Sequence, residues 1–332
     1  MRRINRDEIR VGRMPNLSAI AEKNVLVVGA SGFIGRPLTN RLAAAGAKVY
    51  AVCRNPPAPG TGPIVWSRGD ASEASSVKEI FSECRPAVVF HLTSEGQGGR
   101  DISLIPNSLR NDLTAAVNML HGAATAEAKV ERFIMAGSLE EPDSADSTPV
   151  SPYAAAKWAA SGYGRMFRRH YKLDVRILRP MMTFGPGQKE FKVVPSTILS
   201  LLRNRRAKIG SGSRLVDWIY IDDVVEGLVA AACAPDLPCT IDLGSGVLVS
   251  VADVAREIAR QLGREHLLEI GEGARGEERI CVADVEAARR LIGFEASTGL
   301  AEGISSTIES FASFTIYPTC IAFDRQHPAE RT

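Results

Sequence analysis

Apolar and polar positions follow two rhythms along the first half of the chain. Val25-Leu26-Val27-Val28 is a short run, rich in β-branched residues and without a polar break, the pattern of a strand buried on both faces. It stops at Gly29. Phe33 to Ala45 then carries apolar residues at helical spacing as far as Gly46, a residue that suits a helix end. The strand pattern returns at Lys48 to Val52, Ile64 to Ser67, Ala87 to Leu92, Arg132 to Ala136 and Val175 to Leu178. Helical spacing intervenes at Val77 to Cys84, Asn107 to Ala128 and Pro152 to Tyr171. Strands alternating with helices imply right-handed crossovers and a parallel sheet. The expected fold class is therefore α/β, a Rossmann-like doubly wound parallel sheet.

After Pro180 the alternation loosens. Phe184-Gly185-Pro186-Gly187 is a turn cluster, followed by an amphipathic helix near Val193 to Arg205, a strand over Trp218 to Ile221 and a helix over Val251 to Leu262. This stretch reads as a smaller, interleaved C-terminal substrate domain. The expected boundaries are a disordered lead-in over 1–23, a Rossmann domain over 24–180 and about 206–245, a substrate domain over about 181–205 and 246–314, and an irregular tail over 315–332. Met14 is an alternative start.

Composition narrows the function classes. Of the 332 residues 45% are hydrophobic, enough for a sizeable core, while 40 basic and 38 acidic side chains leave a net charge of +2. That balance gives no electrostatic reason to expect nucleic acid. No apolar run approaches the roughly 20 residues needed to cross a bilayer, so no membrane partner is expected. The arginines of the first residues (Arg2, Arg3, Arg6, Arg10, Arg13) accompany no apolar stretch, unlike a secretory signal. Cys53, Cys84, Cys233, Cys239, Cys281 and Cys320 are scattered without metal-ligand spacing. They read as isolated thiols of a reducing, cytoplasmic compartment, and no metal site is expected.

Gly29-Ala30-Ser31-Gly32-Phe33-Ile34-Gly35 joins the first expected strand to the first expected helix. Glycines there permit a tight turn and let backbone approach a pyrophosphate, which the helix N-terminus then attracts. Gly29, Ser31, Gly32, Phe33, Ile34 and Gly35 are thus candidate dinucleotide contacts; a merely structural turn is the alternative. NAD-binding units usually carry an acid at the end of the second strand, on the ribose hydroxyls. Here that strand ends Val52-Cys53-Arg54-Asn55. A guanidinium at Arg54 suits a 2′-phosphate, which favours NADP(H) over NAD(H); a solvated surface arginine is the other reading. Asp70 either accepts from the adenine amino group or caps the helix from Ala71 onward.

Tyr153 and Lys157 are four apart in an expected helix and share a face, with Ser151 and Pro152 as good helix-start residues. Ser138 follows an expected strand at the sheet edge where ligands bind. With these residues the chain resembles the extended short-chain dehydrogenase/reductase family, whose members are nucleotide-sugar epimerases, dehydratases and ketoreductases. The resemblance runs from about Asn24 to about Phe294. It is carried by Gly29 to Gly35, Asp70, Phe90-His91-Leu92, Asn111, Ser138, Tyr153, Lys157, Arg179-Pro180, Gly185-Pro186-Gly187 and Asp217-Trp218-Ile219-Tyr220-Ile221-Asp222-Asp223. Arg275 with Val282-Ala283-Asp284 resembles a nucleotide-diphosphate clamp.

The resemblance implies Tyr153 as general acid/base, with Lys157 and the nicotinamide lowering a phenol pKa of about 10. It implies Ser138 on the substrate oxygen and Lys157 on the nicotinamide ribose. Leu92, Asn111 and Pro180 join the cofactor candidates, and Ser94, Thr183, Arg214 and Arg275 the substrate candidates. Glu140 stands where dehydratase and decarboxylase relatives place a catalytic glutamate; a solvated acidic loop of Glu140, Glu141, Asp143 and Asp146 explains it equally. Departures from the family pattern are Val216 with Arg214 two residues earlier, Pro142-Asp143 in place of Tyr-Gly, and Gly276-Glu277 after Arg275. The expected function is NADPH-dependent reduction of a keto group, at C4, on a nucleotide-diphosphate sugar. The alternatives are an epimerase or 4,6-dehydratase/decarboxylase with retained cofactor, and a non-catalytic NADP-binding module. The helices near 107–128 and 152–171 resemble those of a four-helix dimer interface, so a homodimer is expected.

Overall fold

The computed structural model describes residues 17–57, 62–94, 96, 98–142, 144, 146–271 and 280–316. The strands in chain order are β1 (Asn24–Val28), β2 (Lys48–Cys53), β3 (Ile64–Arg68), β4 (Val88–His91), β5 (Arg132–Ala136), β6 (Val175–Pro180), β7 (Met182–Phe184), β8 (Ala207–Ser211), β9 (Leu215–Tyr220), β10 (Thr240–Leu243), β11 (Leu248–Ser250) and β12 (Leu268–Gly271). Seven of them form one sheet in the order β10-β6-β5-β4-β1-β2-β3, with all neighbours parallel. The strand order reverses between β1 and β4, and a crevice outside the carboxyl ends of the strands opens at such a point.

The α-helices are α1 (Gly35–Ala44), α2 (Ala74–Cys84), α3 (Ile105–Ser108), α4 (Ala115–Thr125), α5 (Pro152–His170), α6 (Val193–Leu202), α7 (Ile221–Cys233), α8 (Val251–Leu262), α9 (Val285–Ile292) and α10 (Leu300–Ile316). The two-residue period of β1 sorts its side chains between two cores. Val25 and Val27 pack with Leu38 and Leu42 of α1 and Val224 and Leu228 of α7. Leu26 and Val28 pack with Val77 and Phe81 of α2, Met119 of α4 and Phe167 of α5. Fully burying one such side chain contributes about 1.5–3 kcal/mol, so the uninterrupted apolar run in β1 fixes a strand covered on both sides.

The chain divides into two compact units, Met1–Phe184 with Leu215–Val249 and Glu277–Thr298, and Gly185–Arg214 with Ser250–Gly276 and Gly299–Thr332. The division departs from the sequence reading most at two places. Residues 206–214 join the smaller unit because β8 pairs in parallel with β12 there. Residues 280–298 join the larger one because Ala288 and Phe294 pack into the core of α1 and α7. In the smaller unit α6, α8 and α10 pack on one another, and the Gln261 amide donates to the Ala301 carbonyl at 2.8 Å. In the larger unit the buried Asp217 carboxylate accepts from Ser245 N–H (2.8 Å) and Oγ (2.7 Å), Gly246 N–H (3.1 Å) and Ala283 N–H (3.0 Å).

Three further expectations are corrected. The lead-in does not extend to residue 23: Leu17–Ala19 form a 3-10 turn, Ile20 is fully buried, and Glu22 N–H donates to the Gly46 carbonyl at 2.9 Å. The single helix expected over 107–128 is α3, a π-helical segment at Leu109–Thr114, and α4. A π-turn takes an extra residue per turn and so rotates the side chains that follow. The tail expected from 315 is helical as far as Ile316; residues 1–16 and 317–332 lie outside the described residues. The helix α7 was not anticipated, because Val224 to Ala232 is buried and uncharged apart from Glu226 and so shows little polar face.

Candidate active site

The glycine-rich loop follows β1 at the reversal point. Gly29 has φ +84°, and its N–H donates to the Val52 carbonyl at 3.0 Å. A Cβ on Gly29 would lie 2.9 Å from the Leu92 carbonyl carbon, and one on Gly35 only 2.1 Å from the Gly29 carbonyl oxygen. Gly32 N–H closes the turn onto that same oxygen at 3.0 Å. Helix α1 begins without a side-chain cap, so its end is open to an anion. Ser31 and Gly32 are exposed, Phe33 and Ile34 half-buried. A backbone cradle that any Cβ would fill, capped by an open helix end, fits the pyrophosphate of a dinucleotide.

A cleft of about 530 Å³ lies beyond the β2 and β3 ends, lined by Arg54, Asn55, Arg68, Gly69, Asp70 and Ser76. Cys53 is buried and Arg54 exposed, so the β2 end offers a guanidinium. Sequence reasoning missed Arg68; the signal is the β2–β3 register, which sets it beside Cys53. Asp70 is not a helix cap, because α2 begins only at Ala74, after Glu73. Its Oδ1 accepts from Ser72 N–H at 2.9 Å and Ser72 Oγ at 2.7 Å, and its Oδ2 accepts from Arg110 Nη2 at 2.9 Å. Burial pushes the Asp70 carboxyl up. The Ser72 hydrogen bonds and the Arg110 and Arg54 charges outweigh this and hold it below the usual carboxylate range.

At the ends of β4 and β5 the chemistry-bearing side chains converge. Ser151 caps α5, its Oγ accepting from Ala154 N–H at 3.1 Å, and this sets Tyr153 in the first turn. The Tyr153 hydroxyl meets the hydroxyls of Ser138 and Ser94. One helical turn on, the buried Lys157 Nζ donates to the Ala136 carbonyl at 3.1 Å and the Thr93 carbonyl at 3.4 Å. Burial pushes the Tyr153 phenol up. The Ser138 and Ser94 hydrogen bonds oppose this, and the Asp112 and Glu140 charges add to it, leaving the phenol above its ordinary value. The lowering expected from Lys157 together with the nicotinamide belongs to the cofactor-bound protein; without cofactor, burial and the carboxylates set the direction.

The acidic loop is not a solvated one at Glu140 and Glu141. Glu140 is half-buried; its N–H donates to Ser138 Oγ at 3.1 Å and its carboxylate accepts from Ser151 Oγ at 3.3 Å. Glu141 is buried and accepts from Ser138 N–H at 2.7 Å. Burial pushes its carboxyl up against the hydrogen bonds of Ser161 and Ser138 and the charges of Arg179 and Lys157. Asp143 lies outside the described residues, and Asp146 is exposed. Asn111 is half-buried, and its backbone carbonyl accepts from Thr93 Oγ1 at 3.3 Å. Its neighbour Asp112, buried on the π-turn, is the residue that reaches Lys157, with Oδ1 3.8 Å from Nζ. Sequence reasoning missed Glu141 and Asp112, since neither burial nor a π-turn has a local signature.

Of the remaining candidates, Leu92 directly follows β4 and Pro180 ends β6, both strands of the central sheet. Thr183 lies on β7 and donates to the Met181 carbonyl at 3.1 Å. Arg214 belongs to the smaller unit, and Arg275 lies outside the described residues. Among the described residues no helix is long and apolar enough to cross a membrane, and no group of three His, Cys, Asp or Glu could hold a metal ion.

Comparison with known proteins gives concordant findings. A family model described as the NAD dependent epimerase/dehydratase family matches residues 25–242. The chain is 31% identical over 307 residues to the UDP-glucose 4-epimerase of Mycolicibacterium smegmatis, covering 86% of this chain and 97% of that one. The solved structure of MoeE5 in complex with UDP-glucuronic acid and NAD is 31% identical, with a TM-score of 0.77 over 87% of this chain and 99% of that one. An epimerase of Methanothermobacter thermautotrophicus shares the fold at a TM-score of 0.78, with 24% identity over 90% of this chain and 95% of that one.

Proposed function

The chain belongs to the NAD dependent epimerase/dehydratase family, and from that premise we propose that it reduces a keto group, at C4, of a nucleotide-diphosphate sugar at the expense of NADPH. The observation that carries this reading is the meeting of Tyr153 with Ser138 and Ser94 at the strand edge that also bears the Gly29–Gly35 cradle. When bound, the nicotinamide cofactor supplies hydride to the carbonyl carbon. Ser138 donates a hydrogen bond to the carbonyl oxygen, and Tyr153 delivers the proton that turns this oxygen into a hydroxyl. Lys157, anchored by the Ala136 and Thr93 carbonyls, supplies positive charge beside the emerging phenolate and reaches the ribose. Gly29, Ser31, Gly32, Phe33, Ile34, Gly35, Leu92 and Pro180 hold the dinucleotide, and Arg54 with Arg68 takes the 2′-phosphate.

Reduction is preferred over internal hydride return because, among the described residues, two arginines line the cleft at the β2 end and its one carboxylate, Asp70, is held by Ser72 and Arg110, which suits the phosphorylated cofactor. A second reading has its own support: a relative 31% identical is a UDP-glucose 4-epimerase, and Glu140 lies close enough to raise the Tyr153 phenol by its charge. In an epimerase or dehydratase the hydride returns to the same molecule, so the cofactor is best held tightly. Cofactor content after purification separates the two. Protein that denatures without releasing nicotinamide cofactor supports the reductase; near-stoichiometric bound NAD overturns it in favour of the epimerase or dehydratase.

The protein is further proposed to act as a homodimer. Ile102, Ile105 and Leu109, at 78%, 40% and 48% exposure, put apolar surface on the segment that leads into α4, and Tyr163 on α5 is also exposed. Light scattering at micromolar concentration should give twice the mass of the chain, and a monomer there contradicts the assembly.

A further inference from the structure

The residue that faces the Lys157 ammonium is an aspartate, carried by the one stretch of the long helical segment that departs from α-helical geometry. The π-turn Leu109–Thr114 brings Asp112 to 1% exposure, with Oδ1 3.8 Å from Lys157 Nζ, itself 3% exposed. Two opposite charges this close in a poorly hydrated site attract strongly, and removing one leaves the other uncompensated. Lys157 donates to two carbonyls at the strand ends, so its position is set from one side by backbone and from the other by this carboxylate. π-turns recur at functional sites because they re-aim a side chain.

We propose that Asp112 is a positioning residue for Tyr153 and Lys157: it holds the ammonium in place and tempers the positive charge that Tyr153 meets when it loses its proton. This rests on the role given above to Tyr153. Other charged and titratable groups face the same site from every packed element, and Asp112 acts against that background. From β4 comes His91, buried and held neutral, its pKa pushed down to about 3 by burial and by the Lys157 charge. From the loop after β5 come Glu140, whose charge reaches Tyr153, and Glu141, which faces Lys157 and the Arg179 of β6. Among the described residues, Glu140 and Asp112 are the carboxylates that oppose phenolate at Tyr153, and of the two Asp112 is the one paired with Lys157.

Charge removal at Asp112 makes the phenolate easier to form. The titration of Tyr153 is read by ultraviolet difference spectroscopy between the protein and its Tyr153→Phe variant, without cofactor and without turnover. Asp112→Asn should move the midpoint down by about one pH unit and move the pH profile of turnover the same way; Asp112→Glu should move both back toward the parent. A midpoint in Asp112→Asn equal to that of the parent overturns the proposal, as does loss of folding in both variants, which assigns Asp112 a purely structural role. The underlying reading fails separately: Tyr153→Phe would then keep near-normal turnover whatever Asp112 does.

Discussion

The two ends of the crevice are built by different means. The proposed phosphate cradle is made of backbone: its shape depends on hydrogen atoms standing where Gly29 and Gly35 would otherwise carry a Cβ. The proposed catalytic end is made of side chains from four separate segments: Ser94 after β4, Asp112 on the π-turn, Ser138 and Glu140 after β5, and Tyr153 with Lys157 on α5. A backbone site is all-or-none, because a single methyl clashes with a carbonyl. A side-chain site is graded, because several charges push one phenol in opposite directions. Substitutions at the two ends should therefore fail differently.

The largest effect falls at the catalytic end. Tyr153→Phe should lose about 10²–10⁴-fold in turnover while its affinity for NADPH, measured by fluorescence titration, stays within about twofold of the parent. A parallel collapse of cofactor binding would blur the contrast between the two ends. At the cradle, Gly35→Ala should give the opposite split. The added methyl has no room beside the Gly29 carbonyl oxygen, so calorimetry should show dinucleotide affinity weakened by about 100-fold or more, roughly 3 kcal/mol. Unchanged binding in that variant would mean that the loop does not carry the pyrophosphate.

A smaller change is expected where side chains extend the cradle. Arg54→Ala should weaken NADPH binding by about 1.5–3 kcal/mol, the worth of a hydrogen bond to a charged group, and leave NADH nearly unaffected. Equal weakening of both cofactors would make Arg54 a surface residue. The mildest prediction concerns acid. The His91 pKa is pushed down from 6.5 to about 3, so below pH 6.5 the unfolded chain binds a proton that the folded one refuses. His91 therefore contributes an acid loss of stability, absent above pH 6.5 and growing by about 1.4 kcal/mol per pH unit as the pH falls toward 3. Denaturant melts of the parent and His91→Gln at pH 7 and pH 5 should show a smaller acid loss in the variant. Equal losses would mean that His91 is protonated in the fold.

The same contrast explains what could be read from sequence. The β1-loop-α1 unit is local: an apolar run, three glycines at fixed spacing and a helix, all within residues 24–44. Tyr153 and Lys157 were legible for the same reason, being one helical turn apart. Asp112 was not. Its proposed role depends on a π-turn that shifts the helix register by a residue, whereas the sequence pointed to its neighbour Asn111, whose backbone carbonyl accepts from Thr93 Oγ1. Glu141 looked like part of a solvated loop because the Arg179 that faces it comes from β6, distant in sequence. Of the two readings open for Asp70, an adenine contact or a helix cap, the cap fails because α2 begins only at Ala74, and its partner Arg110 lies 40 residues away. Local geometry is encoded by spacing; long-range electrostatics is encoded by which segments the sheet order brings together.

The central claim is that this sheet edge reduces a keto sugar and releases oxidised cofactor at every turnover. It is tested most directly by incubating the purified protein with NADPH and a panel of nucleotide-diphosphate 4-keto sugars, following absorbance and product together. The account predicts one NADPH consumed per reduced sugar formed, and no turnover of either in the Tyr153→Phe variant. Sugar converted with no net loss of NADPH, together with an inactive Glu140→Gln variant, would contradict it and make the enzyme a dehydratase.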